Sequence, residues 1–421
     1  MRCGRLASNG WRVAAACLVG LIGVLVAGCT LVAPAREPAT IRFVFPEFDA
    51  EHYEALLPDF NERYPEITVE LHPNAYDDIS SLGIESADVV LVSQYLAAVL
   101  SEQGQLLSLG SLVEQDKTFQ LSAFYPDAVD AFAYEGETWA IPYGLDMMVM
   151  YYNRELFDQY GVPYPEPEWT WDDFLERAVA LRDPDVFVFG YGPRLHINDA
   201  TPFIYQHGGR LFDDLRAPTR TTFDDPLTIE ALDWYARMVH DYDAAPSLNQ
   251  SSHDYGGGSY GIYQGIWTGK VGMWMGALSE RDGLVWPRSW EMEWGLVPLP
   301  RGQQPTTLAD VEGYAISSST AHPDACWLWI TWLSEQVSQR VMPARPSLAE
   351  SSAFEDQVGS EVAAVARASM EHAVIVNGQG LFQFEGALEA YDDALEDILQ
   401  GHATPLEAMR EAQRRAQRSV P

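Results

Sequence analysis

Cysteine is scarce in this sequence. Its 421 residues include four cysteines, and three of them, Cys3, Cys17 and Cys29, lie close to the amino terminus. If the chain is cut before Cys29 and the thiol of Cys29 is modified, only Cys326 remains, so no disulfide can form within the chain. Cys326 lies in the apolar run 325–330, and we expect it to be an inert core residue.

Basic residues are also few. The 26 lysines and arginines face 61 aspartates and glutamates, which gives a formal net charge of −35. Nucleic acid is excluded as a partner because phosphate binding needs a basic face. One interpretation of the acidity is attraction of cationic solutes, and the other, which we favour, is an ordinary solvated acidic surface.

Long apolar runs are missing from the sequence beyond its amino-terminal segment. No later stretch reaches the roughly 18 unbroken apolar residues of a membrane span. Residues 13–27 are almost wholly apolar, but they are too few for a comfortable span. The segment 13–27 follows Arg2, Arg5 and Arg12, so the sequence predicts a secretion signal.

The end of this segment carries a cysteine. Small residues Ala27 and Gly28 stand immediately before Cys29, with Leu25 two residues earlier than Ala27. The order resembles the lipobox of bacterial lipoproteins. The resemblance implies a signal peptide over 1–28, a lipid on Cys29, and a protein tethered outside the cytoplasmic membrane in the cell envelope. The alternative is an uncleaved signal anchor.

Catalytic motifs are equally absent. Residues 257–261 spell Gly-x-Ser-x-Gly, but no predicted strand precedes them, so they lack the context of a nucleophile elbow. The sequence contains no His-Glu-x-x-His and no clustered cysteine and histidine ligands, so we expect neither a metal nor a cofactor. The glycine loop at 256–258 lacks the Gly-Lys-Ser/Thr ending of a phosphate cradle. The acidic pairs at 172–173 and 224–225 would allow glycoside hydrolysis, but helix capping explains both pairs, so an enzyme is a weak alternative.

Apolar patterning predicts an α/β fold. Residues 41–45 alternate as a strand does, and the continuous apolar run 88–92 predicts a strand buried on both faces of a sheet. Residues 53–64 and 171–181 predict helices, the second with two aspartates in its first turn. Hydrophobic content of 47% is typical of a well-filled core.

A pair of strands is predicted in the middle of the chain. Residues 139–143 and 147–152 have strand character, and we expect an interruption at 144–146, where a glycine and an aspartate stand. Helix and strand segments alternate over most of the chain, which favours layered α/β domains.

Several segments occur in an order that resembles a known family. They are 57–69, 141–143 with 151–157, 169–174, 208–209, 269–273, 343–346 and 394–409. Together they are similar to the extracellular solute-binding proteins of the sugar-binding family, which includes maltose-binding protein and serves ABC importers. The resemblance implies a type II periplasmic-binding-protein-like α/β fold, with two hinge-joined lobes of mixed sheets flanked by helices.

The resemblance also implies boundaries and partners. After a linker over 29–40, we expect an N-terminal lobe over 41–145 and 306–350, and a C-terminal lobe over 146–305 and 351–421. The expected ligand is a mono- or oligosaccharide held between the lobes, and the expected protein partners are the permease subunits of an importer. A polyamine, a glycerol phosphate or a peptide on the same fold is the alternative.

Four candidate ligand residues follow predicted strands. Glu47 and Phe48 come after the first strand, and Gln94 and Tyr95 come after the third. Ligands of open α/β sheets bind beyond the carboxyl ends of strands. Helix capping is the structural alternative for Glu47 and its neighbour Asp49, and a capping turn is the alternative for Gln94.

Further candidates lie in segments that the family uses for ligand contacts. The first crossing between the lobes contains Tyr143 and Asp146, and a loop further on contains Asn198 and Asp199. A lone carboxylate such as Asp146 needs a partner if it is buried, so a structural salt bridge is the alternative there. Helix capping is the favoured alternative for Asn198 and Asp199.

The last candidates come from the second half of the chain. Glu312 and Tyr314 lie in the return crossing, and Trp274 ends a predicted strand. The family often has a stacking tryptophan shortly after that strand, which is missing here. Trp274 itself, Trp286 or Phe382 are therefore candidates for stacking on a sugar ring, although a core position for Trp274 is equally consistent with the sequence.

Overall fold

The computed structural model describes residues 37–74, 86–194, 197–215 and 217–419. Cys29 and the predicted signal peptide lie outside them. The chain divides into Met1–Pro38 and Ala39–Pro421, and all the elements below belong to the second unit.

Helices and strands alternate through this unit. The strands are β1 (Ala39–Pro46), β2 (Ile67–Asn74), β3 (Val89–Ser93), β4 (Ala133–Tyr134), β5 (Glu137–Thr138), β6 (Ile141–Asn153), β7 (Phe189–Tyr191), β8 (Val271–Ala277), β9 (Trp294–Val297), β10 (Thr307–Ile316), β11 (Met342–Pro343) and β12 (Ala373–Val374). The α-helices are α1 (Ala50–Arg63), α2 (Gln94–Glu102), α3 (Gly110–Gln115), α4 (Pro126–Asp130), α5 (Arg154–Tyr160), α6 (Trp171–Ala180), α7 (Ile197–His207), α8 (Pro226–His240), α9 (Leu248–Tyr255), α10 (Gly261–Trp267), α11 (Pro323–Leu333), α12 (Pro346–Ala349), α13 (Ser352–Val358), α14 (Ser360–Met370), α15 (Gly378–Gln383), α16 (Glu385–Leu399) and α17 (Pro405–Ser419).

The main sheet is mixed, as the sequence predicts. Its order is β2-β1-β3-β10-β6-β8-β7, with β11 and β9 also paired to β6 and β12 paired to β10. β1 is parallel to both β2 and β3, whereas β10 runs antiparallel to β3 and β6. β3 is buried along most of its length, as its apolar run requires.

A single long strand, β6, replaces the two predicted strands. Its first half pairs with β10 and its second half pairs with β8 and β9. The predicted interruption at 144–146 is therefore wrong. A Cβ on Gly144 would lie 2.1 Å from Cγ2 of Val341, so glycine is needed there because another segment packs closely, and not because the chain turns.

Two hydrophobic cores lie in this unit. One is built around β1, β3 and α11 and extends along β6 to the aromatic residues Tyr151, Trp274 and Trp290; Phe354 and Val362 also belong to it. The other is built around α6, α7, α8 and α16. β6 contributes to both cores, with Tyr151 in the first and Met150 and Tyr152 in the second, because successive side chains of a strand point to opposite faces.

Local signals explain several helix starts. Thr170 and Asp173 form a reciprocal capping box at the start of α6, which satisfies two backbone amides and places a carboxylate at the positive end of the helix. The predicted capping role of this acidic pair is confirmed for Asp173. Cys326 is confirmed as a core residue, since it is a buried free cysteine on α11 and burial raises its pKa to about 12.

In the described parts of the chain, no helix combines the length and the hydropathy that crossing a membrane requires.

Candidate ligand-binding site

Two neighbouring cavities lie beside β6 and β10. The larger, which we name the aromatic chamber, has a volume of about 900 Å³. Its aromatic and charged lining residues are Phe48, Tyr260, Tyr263, Trp267 and Trp286, with Glu47, Asp146, Arg194, Glu280, Glu312 and Arg340. The smaller, which we name the acidic chamber, has a volume of about 450 Å³ and is lined by Gln94, Tyr95, Asp310, Glu385, Glu389 and Asp392, among other residues.

A buried ionic triad forms the base of the aromatic chamber. Arg340 donates from Nε to Oδ1 of Asp49 at 3.0 Å and from Nη1 to Oε1 of Glu312 at 2.9 Å. All three side chains are buried, and the two carboxylates raise the pKa of Arg340 far above its ordinary value. Because each charge has hydrogen-bonded partners, burial of the group is tolerated. Asp49 therefore pairs with Arg340 instead of capping α1, where it makes no side-chain cap bond.

Asp146 on β6 lies beside this triad. Its Oδ1 accepts from the Ser279 backbone amide at 2.9 Å, and its Oδ2 accepts from the Ser279 hydroxyl at 2.6 Å. Burial, reinforced by the nearby negative charge of Glu312, raises the pKa of Asp146 to about 7. Each oxygen retains a lone pair for a ligand hydroxyl or amine, and the side chain is half-buried where it lines the chamber.

Glu280 binds two residues that line the aromatic chamber. It accepts from Nη1 of Arg194 at 2.6 Å and from the indole nitrogen of Trp286 at 2.9 Å. Trp286 packs edge-on against Trp267 and Tyr263, with ring centroids 5.4 and 5.1 Å apart. The carboxylate and these ring contacts together hold the indole in place, and the three rings line the chamber.

The acidic chamber is built from α2, β10 and α16. Gln94 donates to Oδ1 of Asp310 at 2.9 Å and accepts from the Val311 amide at 2.8 Å, so it bridges to β10 while Ser93 caps α2. Tyr95 donates to Glu385 at 2.7 Å. Burial and this glutamate raise the pKa of Tyr95 to about 12.

The two chambers meet at a pair of aspartates. Asp146 on β6 and Asp310 on β10 are direct cross-strand partners, and such partners lie about 5 Å apart on the same face of a sheet. One lines the aromatic chamber and the other lines the acidic chamber.

Five of the predicted residues are brought together in the aromatic chamber, namely Glu47, Phe48, Asp146, Trp286 and Glu312. Gln94 and Tyr95 line the acidic chamber, and the half-buried Phe382 lies next to Tyr95, with ring centroids 6.5 Å apart.

Tyr143 and Tyr314 are placed differently. Both are buried in the first core, where their ring centroids are 4.9 Å apart and the Tyr314 hydroxyl bonds to that of Tyr53. Tyr143 is the extra residue of a bulge in β6, because Gly144 and Pro142 on either side of it pair with consecutive residues of β10. Simple alternation would give Tyr314 the face of Glu312, yet its ring packs in the first core against Tyr143.

Two more predicted residues, Trp274 and Asp199, do not line either chamber, and a third, Asn198, has a side chain that the structure does not describe. Trp274 is fully buried and stacks on Tyr151 at 5.8 Å between ring centroids. Asp199 is buried and accepts from the hydroxyls of Tyr191 and Tyr235. Asn198 lies in α7, but its side chain is outside the described part of the structure.

Sequence reasoning did not propose Arg340, Glu280 or Asp310. Asp310 could have been found, because it stands two residues before Glu312 in a strand, where residues share a face at that spacing. Arg340 carries no such signal, since it is 291 residues from Asp49 in sequence. Among the residues that the structure describes, no group of histidine, cysteine or carboxylate side chains is arranged to hold a metal ion.

Residues 49–340 match the family model described as bacterial extracellular solute-binding protein. The chain belongs to this family. The matched segment includes the crossing strands β6 and β10 and most of the aromatic chamber. Members are binding proteins, so the predicted non-enzymatic class is that of the family.

Curated relatives are distant. An uncharacterized lipoprotein of Streptomyces antibioticus is 24% identical over 66% of this chain and 63% of its own length. A maltotriose-binding protein of Pyrococcus abyssi is 23% identical over 68% of this chain and 58% of its own. This solute-binding protein thus matches less than two thirds of the length of either relative.

Solved structures resemble the whole fold. An ABC substrate-binding protein of Listeria monocytogenes in complex with cycloalternan superposes with a TM-score of 0.76 at 21% identity, over 91% of this chain and 99% of that chain. The likeness confirms the predicted two-lobe binding-protein fold.

Proposed function

We propose that this solute-binding protein captures a carbohydrate between its two lobes and delivers it to an ABC importer. The aromatic chamber supports the proposal best, because it offers what a sugar needs. Carboxylates such as Glu47 and Asp146 accept bonds from hydroxyls, and the rings of Trp286 and Phe48 cover apolar ring faces.

Closure of the two lobes around a solute follows from how the lining residues of the aromatic chamber are divided between the lobes. With lobe boundaries at 145/146 and 305/306, Glu47 and Glu312 belong to the first lobe, whereas Trp286 and Glu280 belong to the second. A solute that contacts both sets binds the closed arrangement more tightly than the open one, and this difference in affinity shifts the population towards closure. The first boundary falls within β6 and the second falls just before β10, so these two paired strands would carry the hinge.

The proposal includes the location of the protein in the cell envelope. A lipid on Cys29 would hold the protein outside the cytoplasmic membrane, where permease subunits can receive the closed, loaded form. The family match and the sequence of the amino-terminal segment both support an extracytoplasmic location.

A ligand screen tests the proposed function. Purified protein is heated with mono- and oligosaccharides, and a sugar present at about 100 times its Kd should add about 2.7 kcal/mol to the free energy of unfolding. Small-angle scattering of the same mixtures should show a smaller radius of gyration with the binding sugar than without it.

Sugars that stabilise the protein without changing its scattering profile would contradict hinge closure. A panel of saccharides that neither stabilises the protein nor produces heat in a titration would contradict carbohydrate binding altogether. Maltotriose serves as a useful first member of the panel, because a relative is a maltotriose-binding protein.

A further inference from the structure

The four carboxylates that line the aromatic chamber have different surroundings. They are Glu47, Asp146, Glu280 and Glu312. Asp146 retains a lone pair on each oxygen after it binds Ser279, whereas Glu280 uses most of its acceptor positions within the protein. This difference separates a carboxylate that can receive a solute from one that already serves the protein itself.

Glu280 accepts three hydrogen bonds from the chain. Its Oε2 accepts from Nη1 of Arg194 at 2.6 Å and from the indole nitrogen of Trp286 at 2.9 Å, and its Oε1 accepts from the Ala277 amide at 3.2 Å. A carboxylate has roughly four acceptor positions, so only one is left for another donor. The side chain is also largely buried, which further limits its contact with a solute.

Trp286 lies on a segment that has neither helix nor strand. The segment covers residues 284–293, between the 3₁₀ turn at 278–283 and β9. The half-buried ring of Trp286 lines the chamber. Because no regular backbone holds this segment, a ring that binds a solute there needs support from other side chains to keep a single orientation.

The neighbouring indoles show that packing in this cluster does not require such a bond. Trp267 and Trp290 pack edge-on against Trp286, with ring centroids 5.4 and 5.1 Å away. The indole nitrogens of both are buried without a hydrogen-bond partner in the part of the chain that the structure describes. Trp286 instead donates to a charged acceptor, and such bonds are roughly twice as strong as neutral ones. Its bond to Glu280 is therefore a specific feature and not a general property of the cluster.

Arg194 and Ala277 hold Glu280 in turn. The side chains of Arg194 and Glu280 are only 10% and 14% exposed, and their pairing makes the burial of both charges tolerable. Arg194 also lies over the ring of Tyr263 at 5.8 Å, and Tyr263 packs against Trp286. The carboxylate is thus fixed from two sides before it meets the indole, as a rigid support for a binding group should be.

We propose that Glu280 is a positioning residue for sugar recognition, which orients the indole of Trp286 through its N–H group and does not itself bind the solute. Without this bond the indole can turn within its irregular segment, and reordering the ring when a solute binds costs affinity. The inference rests on the proposed carbohydrate-binding function and gives the carboxylates of one chamber separate roles.

A double-mutant cycle tests the inference. Binding is measured by titration calorimetry with maltotriose first, and then with every other saccharide that stabilises the unchanged protein in the ligand screen. Glu280→Leu should weaken binding roughly tenfold or more, on the scale of a hydrogen bond to a charged group. In a Trp286→Phe background, which has a ring but no indole N–H, the same change should weaken binding by less than about threefold, because the bond is already absent.

Two further variants separate positioning from damage to the fold. Glu280→Gln keeps an acceptor for the indole, so it should bind within about threefold of the unchanged protein. Glu280→Leu leaves Arg194 without its carboxylate, so if this variant does not fold, Arg194→Met with Glu280→Leu replaces it in the cycle, because that pair buries no unpaired charge.

The indole N–H signal of Trp286 gives a readout that needs no sugar. In a ¹H–¹⁵N spectrum it is the indole signal that Trp286→Phe removes, and it should shift in Glu280→Leu because its acceptor is lost. Glu291→Leu is the control, since Glu291 is exposed and does not line the chamber. The control should keep both the position of this signal and the affinity for the sugar.

The outcomes separate the two proposals. An equal loss of affinity from Glu280→Leu in both backgrounds overturns the positioning role, because Glu280 would then act on the solute directly. Unchanged affinity in Glu280→Leu, binding by Glu280→Gln as weak as that by Glu280→Leu, or an indole signal that does not move also overturns it. Each of these results leaves carbohydrate binding intact. If no saccharide binds the unchanged protein, the proposed function fails and the inference fails with it.

Discussion

Asp146 is the residue on which ligand recognition in the aromatic chamber is expected to depend most. It lies at the junction of the two chambers and retains free lone pairs after binding Ser279. We expect Asp146→Asn to weaken sugar binding roughly tenfold or more, because a charged acceptor is replaced by a neutral one. Calorimetric titration with the sugar found in the ligand screen measures the change.

The fold should tolerate this substitution. The asparagine oxygen can still accept from the Ser279 amide, so the thermal midpoint without ligand should change little. Asp59→Asn is the control, because Asp59 is exposed on α1. If Asp146→Asn binds the sugar as tightly as the Asp59→Asn control does, Asp146 is not part of the site.

Asp199 should make stability depend on pH. Burial raises its pKa to about 7 in the folded protein, against about 3.9 in an unfolded chain. Between these values the folded state holds the proton more tightly, so stability falls as pH rises from about 4 to 7. The Asp199→Asn variant has no carboxyl group to titrate at this position. Its free energy of unfolding should therefore fall less than that of the unchanged protein, by on the order of 2 kcal/mol between pH 5 and 7.

Urea unfolding of both proteins at pH 5, 6, 7 and 8 measures this slope. Asp233→Asn is the control, since Asp233 is exposed on α8, the helix that also contributes Tyr235. A slope that is the same in all three proteins would show that Asp199 does not titrate in this range.

The charged part of the candidate site was only partly predictable from the sequence. Glu47 could be proposed from its position after a strand, and Glu312 from the resemblance of its segment to the return crossing of the family. Arg340 could not, since only tertiary folding brings it to Asp49. Tyr143 shows a different limit, because it is the extra residue of a bulge in β6, where simple alternation does not hold.

At the scale of elements, β6 illustrates what sequence patterns confuse. Gly144 and Asp146 suggested a turn, yet the strand continues through both. A glycine within a strand-like segment indicates that the position needs glycine. It does not indicate whether a turn or a closely packed neighbour is the reason. The helix α6 and the strand β3 were predicted well. Burial of one face fixes the apolar periodicity of α6, and burial of both faces fixes the continuous apolar run of β3.

The close contact between α6 and β7 gives a prediction at this scale. A Cβ on Gly190 in β7 would lie 1.8 Å from the carbonyl oxygen of Ala178 in α6. Backbone atoms cannot rotate away, so Gly190→Ala must separate the helix from the sheet. We expect a loss of about 2 kcal/mol or more in the free energy of unfolding, at the upper end of overpacking effects, measured by urea denaturation.

Gly110→Ala is the matched control for this substitution. A Cβ on Gly110 at the start of α3 would be 3.4 Å from its nearest neighbour, the Glu137 carboxylate, which is an ordinary contact. The control should retain or slightly exceed the stability of the unchanged protein, since alanine favours helix. Equal stability of the two variants would show that α6 and β7 are not in tight contact.

At the scale of the whole molecule, charge bears on attachment to the membrane. The chain carries −35, and removal of a segment with three arginines and no acidic residue makes the remainder more negative still. Such a surface is repelled by anionic lipids, so electrostatic adsorption cannot hold it at the membrane. If the mature protein is attached there, the hydrophobic energy of acyl chains must provide the attachment.

Cys29→Ala therefore tests attachment directly. Without a thiol to modify, the protein should move from the membrane fraction to the soluble or secreted fraction, as measured by fractionation and detergent phase partition of cells that express it. Cys3→Ala is the control, because it removes a cysteine from the same amino-terminal segment but leaves the lipobox intact, so this variant should stay in the membrane fraction. A Cys29→Ala protein that resists extraction from membranes at alkaline pH would instead establish the uncleaved signal anchor, since an apolar segment that remains in the bilayer does not depend on a thiol.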